Sequence, residues 1–490
     1  MNSSPKQVII IMTDQQRKDL VSCYGIKEML TPNIDSLAKE GVKFESAYCC
    51  TPVCSPSRAG MFTGVFPHGN GMLGNDMPLG NKTLTLGQRL QKTGIKTGYI
   101  GKWHLDASDY FGTGICPDGW DQEYWYDMRN YLDELTPEER SRSRIQGAHD
   151  KVGDVEPEFT FAHRCADRAV KFIKEHKNES YLLVVSFDEP HHPCLCPKEY
   201  VEKFEGYQFP KSPNIWDDLK DKPEIQKRWA GDRVNEDKDA KTIEWPDYFG
   251  SNHFVDMEIG RVVDQINMDA DGAMVIYTAD HGDMNNSHSL HAKGPAMYEE
   301  ITNVPFIVRW KENIENDTVC DSPVSQISVV PTILDLFNID IPETLDGKSI
   351  LSTLTKQEEP IDDAFMEFNR FGIAHEGKEF ELCPIRCCRD KRYKLAINLF
   401  STDELYDLDN DKAEMNNLIN SAEHAGIRNE LHDKIINWMR VTEDLLRGDV
   451  WRLRPWRNDL EQTNKIVCST VREEEGTPCR LAYGTGLPIA

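Results

Sequence analysis

The chain has 490 residues, 39% of them hydrophobic and 28% charged, which is the balance of a soluble globular enzyme with room for two to four domain-sized units. A formal net charge of −26 argues against nucleic acid and anionic membrane surfaces as partners, so any anion site must be a local pocket of Arg, Lys, His and metal. No apolar run approaches the ~20 residues needed to span a bilayer, and no membrane association is expected. The opening M-N-S-S-P-K-Q-V-I-I-I-M-T-D lacks a charged segment followed by an apolar one, so no signal peptide is expected and the cytoplasm is the expected compartment. The fourteen cysteines are irregularly spaced. Cys49-Cys50, Cys387-Cys388 and Cys194-Leu195-Cys196 are too close for ordinary disulfides or zinc knuckles, which leaves free, mostly buried thiols.

Taken in chain order, strand-like and helix-like segments alternate. A buried strand is expected at 8–12, a helix at 31–40 with Pro32 near its start, a helix at 83–92 and a strand ending at 98–101. A helix at 163–176 precedes a strand at 181–187, and a helix at 254–266 precedes a strand at 273–277. A strand at 304–310 and a helix at 328–337 follow. The pattern predicts an α/β fold: a large mixed, mainly parallel sheet flanked by helices, with a smaller C-terminal α+β subdomain. Residues 1–361 form the expected catalytic body, 362–450 the subdomain, and 451–490 a tail packing on the body. In the subdomain, P-I-R-C-C-R-D-K-R-Y-K-L-A-I reads as strands, D-E-L-Y-D-L-D-N-D as a turn, and 427–446 as a helix. Segments 106–154 and 204–244 are irregular excursions of the kind that often carry specificity. The run Trp451-Arg452-Leu453-Arg454-Pro455-Trp456-Arg457 is either a cation source for an anionic group or a basic edge packing on an acidic body.

The chemistry-bearing residues gather beyond predicted strand ends, where open α/β sheets bind ligands. Asp14 and Gln15 follow the first strand and offer hard oxygens suited to Ca²⁺ or Mg²⁺; alone they are also an ordinary strand-ending turn. Asp280 and His281 follow the strand at 273–277 in the same way, and the histidine admits Mn²⁺ beside Ca²⁺. Lys102 and His104 follow the strand at 98–101, His191 follows the strand at 181–187, and Lys293 lies shortly after the Asp280-His281 pair. Each of these, alone, is more often a solvated loop residue. His68, in V-F-P-H-G-N-G, is a candidate supporting residue, Asn75 and Asp76 are candidate pocket residues, and His288 and His291 have no assigned role. The most specific segment is Cys54-Ser55-Pro56-Ser57-Arg58, continued by Ala-Gly-Met-Phe to Thr63-Gly64. On its own it reads as a Pro-Ser turn with a buried thiol.

The C-x-P-S-R…T-G run, together with the strand-end clusters, resembles the type I sulfatases, a branch of the alkaline phosphatase superfamily. The resemblance covers residue 8 to about 418. It implies that a formylglycine-generating maturase is a partner and oxidises Cys54 to formylglycine, whose hydrated form attacks sulfur. It implies one divalent metal, Ca²⁺ foremost, among Asp14, Gln15, Cys54, Asp280 and His281. Arg58, Lys102 and Lys293 would stabilise charge on the transferring group, His191 or Lys293 would protonate the leaving alcohol, and His104 would take the proton that expels sulfate. Asn75 and Asp76 would bind substrate. Many sulfatases have Asp where this chain has Gln15, and Asn where it has His281. The Asp-Gln and Asp-His pairs also resemble phosphonate monoester hydrolases and choline sulfatases, the alternative reading. Lys102 and His104 favour a sulfate ester. The expected substrate is a sulfated sugar or glycosaminoglycan-derived saccharide, and the long tail is a candidate surface for homo-oligomer formation.

Overall fold

The computed structural model describes residues 6–106, 110–145, 154–236, 241–356, 363–372, 382–457 and 484–487. At its centre lies β1 (Gln7–Asp14), whose Val-Ile-Ile-Ile-Met run is buried on both faces. Branched side chains standing on alternate faces suit a strand covered by helices on each side. Val8, Ile10 and Met12 enter one core, with the helices Cys54–Thr63, Leu86–Gln91 and Val329–Leu336. Ile9 and Ile11 enter the other, with Pro32–Lys39, Phe161–Glu175 and Pro246–Asp269.

The remaining strands are β2 (Val42–Phe44), β3 (Ala47–Tyr48), β4 (Lys96–Gly101), β5 (Trp125–Tyr126), β6 (Tyr181–Pro190), β7 (Met274–Ala279), β8 (Phe306–Arg309), β9 (Thr318–Cys320) and β10 (Val324–Ser325). Seven of them join β1 in one eight-stranded sheet, in the order β5-β4-β6-β1-β7-β8-β2-β9. Only β8 runs antiparallel to the rest of that sheet. The parallel register sets Val8 beside both Leu182 and Met274. Strands β3 and β10 pair separately. The expected helix at 83–92 is the shorter Leu86–Gln91, because Thr85 and Gln88 close a capping box at its start. Among the described residues no helix is long and apolar enough to cross a membrane.

The C-terminal unit is an antiparallel sheet of β11 (Ala364–Phe368), β12 (Ile385–Arg389), β13 (Tyr393–Asn398) and β14 (Glu404–Asp407), with the helix Ala425–Val441 against it. The segment read as a turn therefore contains a strand. Leu405 is fully buried, and Glu404 and Tyr406 are held by bonds to Gln226, Asn398 and Lys222, so β14 completes the sheet edge despite its acidic composition. The basic run packs rather than presenting cations. Arg454 grips Asp403 at 2.8 Å, Trp456 Nε1 donates to the same carboxylate at 2.8 Å, and Trp451 is buried. The boundary expected at 362 and most of the tail lie outside the described residues.

His68 joins the two units instead of supporting the pocket. Its Nδ1 meets Glu367 of β11, and its Nε2 lies 2.9 Å from Thr442 Oγ1. That hydroxyl donates to Trp438 O, so toward His68 it accepts, and both ring nitrogens are donors. Asp444 and Arg386, paired at 2.6 Å, complete the cluster. Burial opposes the His68 charge, but Glu367 prevails and raises its pKa. A raised folded pKa gives stability that is full below the unfolded value of about 6.5 and is lost as pH rises through the folded value. Wild-type protein should lose thermal stability across that window relative to His68→Gln, whose own loss, roughly 1–3 kcal/mol from a buried unsatisfied acceptor, is independent of it. Parallel pH curves for the two proteins would contradict this.

Candidate active site

Strands β4, β6, β1 and β7 are consecutive neighbours and parallel, so their carboxyl ends share one edge of the sheet. Lys102 follows β4, His191 follows β6, Asp14 ends β1, and Asp280-His281 follow β7. Convergence of these residues is a consequence of strand order. The turn at Lys102 depends on Gly101, whose φ is +118°. A Cβ there would sit 1.9 Å from Ser186 O. The close approach lets Lys102 N donate to that same carbonyl at 2.8 Å.

Cys54 opens the helix Cys54–Thr63, all ten residues of which are buried. The segment is a helix rather than the Pro-Ser turn its composition suggests. Pro56 falls in the first turn, where its missing N–H costs nothing. Val53, the cap residue, offers no side-chain bond. Asn75 supplies it from a distance, its Oδ1 accepting from Ser55 N at 3.0 Å. Asn75 therefore secures the start of the Cys54 helix, and Asp76 beside it pairs with Arg370 of the C-terminal unit. Helix N-terminal polarity thus faces the Cys54 side chain.

Arg58, one turn along, lies beneath Cys54 with no exposed surface. Its Nε donates to Asp280 Oδ2 at 2.9 Å and its Nη2 to Asp14 Oδ2 at 2.8 Å. Its Nη1 donates to Lys102 O and Ser186 Oγ at 2.7 and 2.8 Å. The guanidinium thus holds two carboxylates and the ends of β4 and β6 together. Lys102 Nζ also meets Asp14 Oδ2, at 2.8 Å, and Asp188 Oδ1 at 3.1 Å. Burial opposes the Asp14 charge, yet Lys102 and Arg58 hold its pKa well below the usual carboxylate range. Burial, reinforced by Asp14, pushes Asp280 up to about 7.

His281 donates through Nδ1 to Gly282 O at 2.8 Å, which leaves Nε2 bare and 3.1 Å from Cys54 Sγ. Ligand atoms of Asp14, Cys54, Asp280 and His281 all lie within 4.8 Å of one another, and all four residues are buried. Two carboxylates and a bare imidazole nitrogen are a donor set that fits a divalent cation. A cation would also relieve the repulsion that raises Asp280. Gln15 lies beside this group, its backbone N–H donating to Asp280 Oδ1 at 3.0 Å. Its Oε1 accepts from Lys293, and its Nε2 donates to Asp283 Oδ2 at 2.5 Å. Both ends of the amide are thus engaged in orienting Lys293. His191 and His104 are buried, and burial followed by the Lys102 charge pushes both far below the ordinary imidazole value, so both are neutral. His104 Nδ1 has no hydrogen-bond partner among the described residues.

Lys293 ends a loop with five non-glycine residues at left-handed φ, namely Asn285, Asn286, His288, Ser289 and Ala292. Such residues cost of order 1–3 kcal/mol each and persist only where neighbours enforce them. His288 does so: Nδ1 is 2.6 Å from Asp217, and its ring stacks on Tyr298 at 3.7 Å. His291 instead accepts from Arg233 at 2.9 Å, on the exposed side. Sequence reasoning missed Asp188 and Tyr110. Asp188 carries the signal that found Asp14 and Asp280, an acid at the end of a buried strand. Tyr110 carries none, being one aromatic in an aromatic-rich excursion.

Comparison with known proteins places the chain in a family. The model of the family described as Sulfatase matches residues 6–339, and that described as N-sulphoglucosamine sulphohydrolase, C-terminal matches 287–441. An uncharacterized sulfatase, YidJ, of Escherichia coli is 41% identical over 487 residues, covering 98% of this chain and 96% of that one. An N-acetylglucosamine-6-O-sulfatase of Bacteroides thetaiotaomicron is 24% identical, covering 86% of this chain and 84% of that one. A structure solved in complex with its substrate D-glucosamine-2-N,6-O-disulfate superposes with a TM-score of 0.73 at 21% identity, covering 91% of this chain and 99% of that one.

Arg58→Met should cost about 3–5 kcal/mol, because it strands two buried carboxylates. Urea unfolding would measure it, and Asp280→Asn in the same chain should recover part of the loss. A cost under about 1 kcal/mol would show that the carboxylates do not depend on Arg58.

Proposed function

This chain belongs to the sulfatase family and is a sulfuric ester hydrolase, and from that premise we propose that it cleaves a sulfate monoester on a sugar or glycosaminoglycan-derived saccharide, with formylglycine made from Cys54 as nucleophile and one divalent cation, Ca²⁺ foremost, in the site. The observation that carries the reading is the buried group of Asp14, Asp280 and His281 around Cys54 at a helix N-terminus. The saccharide follows from the activities named for the relatives, the amino-sugar sulfatase and the complex with a sulfated glucosamine.

Asp14, Asp280, His281 and the side chain at position 54 would hold the cation. When bound, it polarises sulfate oxygens and the attacking hydroxyl. Hydrated formylglycine supplies that hydroxyl. Lys102 and Lys293 bring ammonium groups to the same crevice, where little water screens them, and so favour charge building on sulfate oxygens. His191 keeps Nε2 bare, 3.4 Å from Lys293 Nζ, so the pair carries the proton that the leaving alcohol takes. Neutral His104, with Nδ1 uncommitted, is placed to accept a proton from the residue at 54. Asp76 and Arg370 stand beside the Asn75 cap as polar groups for sugar hydroxyls.

The test is sulfate release from a panel of sulfated mono- and disaccharides by protein co-expressed with a formylglycine-generating maturase. Release from one regioisomer is expected, absent in Cys54→Ala and faster than hydrolysis of a matched phosphonate ester. Confirmed conversion of Cys54 without release from any sulfate, or a preference for the phosphonate, would overturn the reading. A chelator should lower the thermal midpoint, and calcium at a hundredfold its dissociation constant should restore about 2.7 kcal/mol. Asp280→Asn should blunt that response, and an equal response in the variant would place the cation elsewhere.

A further inference from the structure

Tyr110 touches more of the reactive groups than any role above gives it. It is half-buried and comes from the irregular excursion that follows His104. Its hydroxyl bonds to Asp188 Oδ1 and lies 2.9 Å from His191 Nδ1. Its ring covers the Lys102 ammonium, with Nζ 4.0 Å from the centroid. The rings of His104 and His191 lie 5.3 and 5.2 Å from it.

The hydrogens of this group can be assigned from chemistry alone. A carboxylate only accepts, so the Tyr110 hydroxyl donates to Asp188. A carbonyl only accepts, and His192 O lies 2.7 Å from His191 Nδ1, so Nδ1 carries the hydrogen. The Tyr110 oxygen accepts that hydrogen as well. The bare nitrogen is then Nε2, facing Lys293. Asp188 also takes a hydrogen bond from Lys102 at 3.1 Å. One carboxylate therefore sets Lys102 directly and His191 through Tyr110.

We propose that Tyr110 is a positioning residue for the proton-delivering side of the site: held by Asp188, its hydroxyl fixes the His191 ring with Nε2 toward Lys293, and expulsion of a poorly acidic alcohol depends on that orientation. The proposal rests on the sulfatase reading. When the bond between sulfur and the alcohol oxygen breaks, the oxygen takes the electron pair and a proton from the Lys293–His191 pair. Solvent later restores that proton. Tyr110 keeps its own hydrogen on Asp188 throughout.

Two variants separate its parts. Tyr110→Phe keeps the ring over Lys102 and removes the hydroxyl, whereas Tyr110→Leu removes both. Sulfate release is measured for aryl sulfates of graded phenol acidity and for a sugar sulfate. Tyr110→Phe should lower kcat on the sugar ester by on the order of 10², and progressively less as the leaving phenol becomes more acidic, with KM little changed. Tyr110→Leu should add a loss shared by every ester. A Tyr110→Phe loss equal across the series, or none, would overturn the proposal while wild-type turnover still upheld the sulfatase reading. Wild-type protein with Cys54 converted and no release from any ester would remove both. In protein with Cys54 unconverted, the ring ¹⁵N signals of His191 should show an unprotonated Nε2 and should shift in Tyr110→Phe, and unchanged signals would also overturn the proposal.

Discussion

The site depends on one buried arrangement: a guanidinium shared between two carboxylates at the ends of adjacent parallel strands. Arg58 binds Asp14 at the end of β1 and Asp280 just beyond β7, and none of the three is exposed. Removing ions from water costs several kcal/mol apiece, and only good geometry and further hydrogen bonds offset it. Here Gln15 N and His281 N also bind Asp280, and Lys102 also binds Asp14. The same contacts tie the Cys54 helix to the sheet edge. The position of residue 54 is thus fixed by electrostatics that lie below it, before any substrate arrives.

That arrangement also explains the charge balance. Four buried carboxylates, Asp14, Asp188, Asp280 and Asp283, face three cations, Arg58, Lys102 and Lys293. Burial, with Asp14 beside it, drives Asp280 up to about 7, so its charge is the least settled of the four. The divalent cation proposed beside Asp14 and Asp280 would make the crevice a place for an anion, on a chain whose net charge of −26 repels anions at long range.

Much of this was legible in the sequence because one rule, ligands beyond strand ends, depends only on finding the strands. The Val-Ile-Ile-Ile-Met run of β1 and the Leu-Leu-Val-Val run of β6 are buried on both faces and leave little ambiguity. They brought in Asp14 and His191, and the equivalent ends of β4 and β7 brought in Lys102 and Asp280-His281. Side-chain direction was not legible. Nothing in the residue type says that Arg58 turns inward to the carboxylates, or that the Gln15 amide reaches both Lys293 and Asp283. The helix at Cys54–Thr63 was hidden by its own Pro, Ser and Gly content, and its cap, Asn75, lies 20 residues away from Ser55. β14 was hidden because its buried acids depend on partners elsewhere in the chain. Tyr110 is the extreme case, since its contacts exist only once its own segment has met the ends of β4 and β6.

The proposed reaction depends first on Cys54. The decisive measurement is the fraction of the Cys54 peptide carrying an aldehyde, determined by mass spectrometry on preparations made with graded amounts of maturase, set against sulfate released from the preferred saccharide by each. Turnover should be proportional to the converted fraction and absent without conversion. Turnover from fully unconverted protein, or turnover unrelated to conversion, would contradict the proposed reaction.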